Sequence, residues 1–208
     1  VGGVARDLKP EIGQLILQRL KTFMPQLEEL VNIYENNWTL SLKNKGVGVL
    51  TKQDAMLLNV VGPFARAAGL AVDVRDETED LLPWKEVGFE MITDTAGDVH
   101  ARNMIRLREI YVSIRIIQNI INGLPEGDLV TETKAFPDGE ATVRLEAPRG
   151  ELFYYAKGNK TQVLERLKIK APTFSNVAGM VKAFEGNEYG SAPAIIASYD
   201  PCLSCTAR

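Results

Sequence analysis

The sequence predicts a mainly α-helical protein with a small antiparallel β-sheet in its second half, an α+β arrangement. Two long stretches repeat apolar residues every three or four positions, the spacing that gives a helix one apolar face. After residue 125 the period changes to two, the repeat of a strand with one covered face. Composition agrees with a folded chain: 45% of the 208 residues are hydrophobic and 25% are charged, enough to bury a core. On these patterns residues 1–125 form a helical region, and residues 126–208 form a small sheet followed by a cysteine-bearing C-terminal segment.

The first helix opens at Pro10, which suits a first helical position because the N–H it lacks would have no partner there. Ile12, Ile16, Leu20, Phe23, Leu27, Leu30 and Tyr34 make its apolar stripe, and Pro25 is placed to kink it. Residues 43–49 read as a glycine-bearing loop. Thr51, followed three residues later by Asp54, resembles a weak capping box opening a short helix, and Gly62-Pro63 and Gly69 punctuate the next stretch. Residues 76–83 are acidic and turn-rich, a surface loop. A second long helix spans residues 98–121, with Leu107, Ile110, Ile114, Ile117 and Ile121 as its stripe and Arg102, Arg106, Arg108 and Arg115 off it. Gly123 and Pro125 end it. Residues 129–135 and 141–146 then read as strands around a Phe136-Pro137-Asp138-Gly139 turn. Residues 152–156 form a further strand and residues 162–169 add another. A helix over 175–184 and a short apolar segment over 194–198 complete the chain. No internal repeat is present.

Charge and hydropathy exclude some functions. A net charge of −3 and a pI near 5.4 leave no basic footprint for neutralising phosphates, so nucleic acid is not expected as a partner. No apolar run approaches the ~20 residues that cross a bilayer, and the first residues lack signal-peptide architecture. The expectation is a cytoplasmic protein with no direct membrane insertion. Val1 stands where a methionine would begin a gene product, a hint of a processed chain or a piece of a longer one.

Both cysteines of the sequence, Cys202 and Cys205, lie in the last seven residues. Disulfide scaffolds spread their cysteines along the chain, so this pair reads as chemical. Two sulfurs separated by two residues can turn to one side, where they chelate a soft metal or close a disulfide. A thioredoxin-like role needs a helix after the first cysteine, for which too few residues remain. A four-ligand zinc site would have to draw on His100 and carboxylates, so a soft-metal site built on this pair needs ligands from another segment or chain. Two inert thiols are the alternative.

The segment Asp200-Pro201-Cys202-Leu203-Ser204-Cys205-Thr206-Ala207-Arg208 resembles the C-terminal signature of nickel-iron hydrogenase large subunits. Glu146-Ala147-Pro148-Arg149-Gly150-Glu151 is similar to that family's arginine-bearing segment, and Ala171-Pro172-Thr173-Phe174-Ser175-Asn176 to the one after it. Further counterparts are Gly46-Val47-Gly48-Val49-Leu50, Gly62-Pro63-Phe64-Ala65-Arg66-Ala67-Ala68-Gly69 with Asp73-Val74-Arg75, and Gly97-Asp98-Val99-His100-Ala101-Arg102. These are shared by energy-converting, membrane-bound hydrogenases and the complex I 49 kDa-type subunit. The resemblance begins at Gly2-Gly3-Val4-Ala5-Arg6-Asp7-Leu8 and so covers nearly the whole chain.

The resemblance implies a hydrogenase large subunit or 49 kDa-like helical fold without the family's N-terminal part, where its first cysteine pair lies. It implies a nickel-iron centre with cyanide and carbon monoxide ligands in the complete protein, and none assembled in this chain alone. Cys202 would be a terminal nickel ligand and Cys205 a ligand bridging nickel to iron. The implied activity is reversible oxidation of dihydrogen to protons and electrons, with Cys202 suited to take a proton, Arg149 a hydrogen-bond donor and fixed positive charge over the iron side, and Asp200 orienting the site and interacting with that arginine. Implied partners are an iron-sulfur small subunit and membrane subunits, which would hold the chain at the inner face of the cell membrane. Two alternatives stand beside it: a complex I-like quinone-module subunit with vestigial cysteines, and a non-catalytic assembly protein. Each site residue also has a plain structural reading. Arg149 could pair with a surface carboxylate, Asp200 could start a turn, His100 could be a hydrogen-bonded structural histidine, and Arg66, Asp73 and Arg75 could be a solvated salt-bridge group.

Overall fold

The computed structural model describes residues 2–77, 83–132 and 136–206. Helices α1 (Pro10–Asn36), α2 (Trp38–Asn44), α3 (Lys52–Leu57), α4 (Pro63–Ala67), α5 (Val74–Glu77) and α6 (Val99–Asn122) come first. The strands β1 (Asp138–Ala147), β2 (Gly150–Asn159) and β3 (Arg166–Lys170) come next, and then α7 (Pro172–Lys182), α8 (Ala192–Tyr199) and α9 (Leu203–Thr206). The α+β class expected from the two periodicities is the one observed. No helix among the described residues is long and apolar enough to cross a membrane.

Local chemistry sets the helix starts. Pro10 occupies the first turn of α1 and Pro63 that of α4. Thr51 caps α3: its hydroxyl oxygen accepts from the Asp54 N–H, while the hydroxyl donates to the Asp54 carboxylate. Asp98 caps α6 by accepting from the Ala101 N–H, and its second oxygen accepts from the Gly46 N–H, which ties the glycine-bearing loop to the helix.

Several elements differ from expectation. In α6 the buried side is Val99, Ala101, Arg102, Met104, Ile105, Val112, Ile114 and Ile116. Leu107, Ile110 and Ile121 are only half-buried and Ile117 is exposed. Arg102 counts as polar in the periodicity yet sits inside, with Nε and Nη1 hydrogen-bonded, its guanidinium over the Tyr199 ring and its buried Nη2 without a partner. On α1, Leu27 is buried but Ile12, Phe23 and Leu30 are exposed. Lys43 and Asn44 still belong to α2, and residues 74–77 form a helical turn; residues 78–82 of the expected surface loop lie outside the described residues. The strand expected over 129–135 is reduced, among the described residues, to one bridge between Gly3 and Val130; residues 133–135 lie outside them.

The sheet is a meander in the order β1-β2-β3. Pairing runs from Asp138 opposite Asn159 to Ala147 opposite Gly150, so Asp138 and Gly139 are already strand and the reversal falls on Pro148-Arg149. The expected turn at 136–139 is therefore corrected: alternation extends farther toward the N-terminus than proline and glycine suggested. β3 begins four residues later than the expected start at 162. Register puts Val143, Leu145, Leu152, Tyr154, Leu167 and Ile169 on one face and Glu140, Arg144, Lys157, Arg166 and Lys168 on the other. The main buried cluster joins Leu50, Ala55, Val60, Phe64, Val99, Ala183, Ile195 and Tyr199, so helices from both ends of the chain share it.

Candidate functional site

Arg149 sits at the tip of the β1–β2 hairpin, in a two-residue turn behind Pro148. The tip is pressed against the start of α4. Gly62 has φ +72, and a Cβ there would strike the Gly150 backbone; Gly150 has φ +123, and a Cβ would lie 2.7 Å from the Val61 side chain. Only glycines permit this approach at these dihedral angles. The buried Asn176 amide of α7 closes the joint: it donates to the Arg149 carbonyl at 3.0 Å and accepts from the Val61 N–H at 2.9 Å. The backbone under Arg149 is thereby fixed while its side chain points away.

The C-terminal segment arrives from α8. Ile195, Ser198 and Tyr199 are buried, with the Tyr199 ring stacked on Phe64 at 4.7 Å. Arg102 reaches in from α6: it donates to the Ser198 hydroxyl and to the carbonyls of Gly48 and Gly97, and its guanidinium lies 4.6 Å from the Tyr199 ring centre. Two residues later Asp200 ends α8 in the left-handed region, φ 44 and ψ 55, which aspartate tolerates better than most residues. Cys202 is then held by its N–H, which donates to the Thr173 hydroxyl at 3.2 Å.

These two segments meet, although 51 positions separate Arg149 from Asp200. Arg149 Nε donates to the Asp200 carbonyl, and its Nη2 lies 2.8 Å from Asp200 Oδ2. The same oxygen accepts from Arg106 Nη2 of α6 at 2.7 Å. Cys202 Sγ and Ser204 Oγ are 3.2 Å apart. The Cys202 thiol is pushed down to about 7, chiefly by hydrogen bonding from Cys205, then from the Ser204 hydroxyl and the Cys205 backbone, with a smaller contribution from the Arg149 charge. Near neutrality such a thiol is substantially thiolate, the form that binds soft metals and exchanges protons. Among the described residues no group of three or more His, Cys, Asp or Glu is placed to hold a metal ion. Cys202 and Cys205 are the two side chains here whose chemistry suits a soft metal.

Behind this lies a second, buried charge cluster. Arg66 pairs with Asp73 at 2.8 Å, Glu109 at 2.7 Å and Glu146 at 2.9 Å, and Arg75 joins through Asp73. The expected solvated salt-bridge group is thus corrected: Arg66 and Asp73 are each 1% exposed. Burial works to lower the Arg66 pKa, but Glu109, Asp73 and Glu146 outweigh it and the net direction is upward. Burial pushes the Glu146 carboxyl up against the pull of Arg66. Glu146 lies three residues before Arg149, so the cluster anchors the hairpin close to its tip.

His100 stands apart from both. It stacks on Tyr34 at 5.3 Å, and its buried Nδ1 has no hydrogen-bond partner, unlike the hydrogen-bonded histidine of the plain reading. Arg106, Thr173 and Asn176 carry site contacts that sequence reasoning alone does not assign. Arg106 lies four residues after Arg102 and three before Glu109, a helical spacing that places the three on neighbouring parts of α6.

A family model described as the respiratory-chain NADH dehydrogenase 49 Kd subunit matches residues 1–136 and 128–208. The carbon monoxide-induced hydrogenase of Rhodospirillum rubrum is 36% identical, over 100% of this chain and 58% of the relative. The alpha subunit of the membrane-bound hydrogenase of Pyrococcus furiosus is 34% identical, over 100% of this chain and 52% of the relative. A subunit of the NADH-quinone oxidoreductase of Chloroherpeton thalassium is 32% identical, over 98% of this chain and 52% of the relative. The chain spans about half the length of these relatives.

Proposed function

This chain belongs to the family of the respiratory-chain NADH dehydrogenase 49 Kd subunit, and from that premise we propose that it is part of the large subunit of a nickel-iron hydrogenase working within a membrane-associated complex. The observation that supports the reading is that Arg149 meets Asp200, two residues before Cys202, although 51 positions separate them. An iron-sulfur subunit and membrane subunits are the proposed partners, and dihydrogen and protons the substrates. The two relatives named as hydrogenases support this choice within the family.

Cys202 and Cys205 would hold the nickel-iron centre together with ligands outside this chain, and the centre, when bound, supplies the site of dihydrogen cleavage and takes up the electrons. The chain's own residues then have separable tasks. Cys202 Sγ, as a thiolate beside the centre, is the chain's own group suited to take and release a proton there. Arg149 presents a fixed positive charge whose donors are already oriented by Asp200, so little reorganisation is needed as negative charge develops nearby. Thr173 holds the Cys202 backbone, which sets where that sulfur stands.

The test uses the complete complex and measures metal content together with hydrogen-deuterium exchange. Cys202→Ser should lose exchange and bound nickel, because an alcohol is a harder and far less acidic ligand than a thiol. Arg149→Lys should keep the metals and lose most of the exchange, because lysine cannot reproduce the planar pair of donors. An active, nickel-loaded Cys202→Ser protein, or full exchange in Arg149→Lys, overturns the assignment. The relative named as an NADH-quinone oxidoreductase favours a second reading, a quinone-module subunit. A complex that lacks nickel and reduces quinone would establish that one instead.

A further inference from the structure

We infer that Arg106 is a positioning residue for the candidate site, holding the Asp200 carboxylate from the α6 side so that Arg149 and the cysteine segment are aligned to one fixed oxygen. This rests on the hydrogenase reading above and extends it to a residue outside the segments that carry the resemblance.

Asp200 is where the C-terminal segment most needs support. It comes after the last turn of α8 in a left-handed conformation, and the chain beyond it is next tied down at Cys202, through Thr173. A carboxylate on one donor can swing about its side-chain torsions. Asp200 Oδ2 instead takes one bond from Arg149 on the hairpin and one from Arg106 on α6, at 2.8 and 2.7 Å. Donors from two separate elements remove that freedom. Arg106 lines open clefts on either side, one with Glu146 and Pro148 and the other with Tyr34 and Leu107. Its side chain is 34% exposed, and its guanidinium donates to Asp200 Oδ2.

The two arginines also use their donors differently. Arg149 engages Asp200 through both Nε and Nη2, whereas Arg106 uses Nη2 alone. One donor and one positive charge suffice at position 106, and a lysine can supply both. At position 149 a lysine supplies only half of the contact. A structural role for Arg106 in α6 alone would not predict this difference in rescue.

The test compares native complex, Arg106→Gln, Arg106→Lys and Arg149→Lys. Bound nickel and iron, the infrared bands of cyanide and carbon monoxide, and kcat and KM for dihydrogen are measured in each. Arg106→Gln should retain both metals, shift the infrared bands and lower kcat by about tenfold or more with KM unchanged, the size of effect expected from misplacing reacting groups by a fraction of an ångström. Arg106→Lys should restore the bands and most of kcat, and Arg149→Lys should not. Native bands and kcat in Arg106→Gln, or an Arg106→Lys protein no better than Arg106→Gln, overturn the inference. Should the native complex show no such bands, the hydrogenase reading itself has failed. The clamp is then decided in the purified protein by a double-mutant cycle of Arg106→Gln and Asp200→Asn in denaturant unfolding, where additive effects overturn it and coupled effects sustain it.

Discussion

Arg66 and Arg149 both bind carboxylates, but in different surroundings. Arg66 is 1% exposed and meets Asp73, Glu109 and Glu146, whereas Arg149 is 29% exposed and meets Asp200, which is itself 34% exposed. Inside the protein a charge can neither be hydrated nor easily re-paired, so the Arg66 cluster has one workable arrangement and fixes α4, α6 and β1 relative to one another. At the edge, solvent screens the charges, so the Arg149 pair contributes little to folding even though it sets the local geometry of Asp200. Similar ion pairs thus anchor the hairpin just below its tip, through Glu146, and equip the tip itself, through Arg149.

The comparison makes opposite predictions for the two pairs. Arg66→Ala should destabilise the protein by about 3–5 kcal/mol in denaturant unfolding, because Asp73 and Glu146 would be left buried without their common counter-charge. Asp200→Asn should cost about 1 kcal/mol or less, yet in the complete complex it should reduce hydrogen turnover. If Asp200→Asn proved as destabilising as Arg66→Ala, the distinction between frame and site would collapse.

Between these extremes lies the joint under the hairpin tip. Asn176→Ala removes the donor to the Arg149 carbonyl and the acceptor for the Val61 N–H, leaving two inward-facing backbone groups unsatisfied. A loss of about 1–3 kcal/mol is expected, the usual penalty for orphaned buried polar groups. Asn176→Asp keeps the acceptor and loses the donor, so it tests whether the Arg149 side of the joint matters separately. The measurement is thermal or denaturant unfolding of both variants, and equal stability of Asn176→Ala and the native protein would show that water replaces the amide.

How much of this is legible in the sequence depends on where each partner lies. The α1 and α6 helices are legible because their signals are local: Pro10 at a first turn, Gly123 and Pro125 at an end, apolar residues every three or four positions. The burial of Arg102 is not, because it donates to the carbonyls of Gly48 and Gly97 and to the Ser198 hydroxyl, the last 96 positions away. Assigning every arginine to the solvent side therefore misplaces the buried face of α6. Arg149 and Asp200 stand out through their resemblance to a known signature, whereas Arg106 gives no such signal and its partner lies 94 residues away in sequence. The sheet shows the same limit: the strands read over 141–146 and 152–156 do pair, with the reversal between them at Pro148-Arg149, but Pro137 and Gly139 look like a separate turn, whereas Asp138 and Gly139 already belong to β1.

The smallest expected effect concerns His100, which lies outside both clusters and is the sequence's one histidine. Burial lowers its pKa below the ordinary 6.5, with the Lys45 charge acting in the same direction and Asp98, Asp94 and Glu35 opposing. A group whose folded pKa is depressed in this way takes up its proton more readily in the unfolded chain. Its contribution to stability is therefore present above 6.5 and is lost as pH falls from 6.5 through the folded value. The imidazole carbon-bound proton resonances should titrate in NMR with a midpoint below 6.5, and unfolding free energy should weaken slightly over the same interval. His100→Gln should remove that dependence while leaving the response of the Arg66 cluster intact. A midpoint above 6.5 would mean that Asp98 and its acidic neighbours outweigh burial around the ring stacked beside Tyr34.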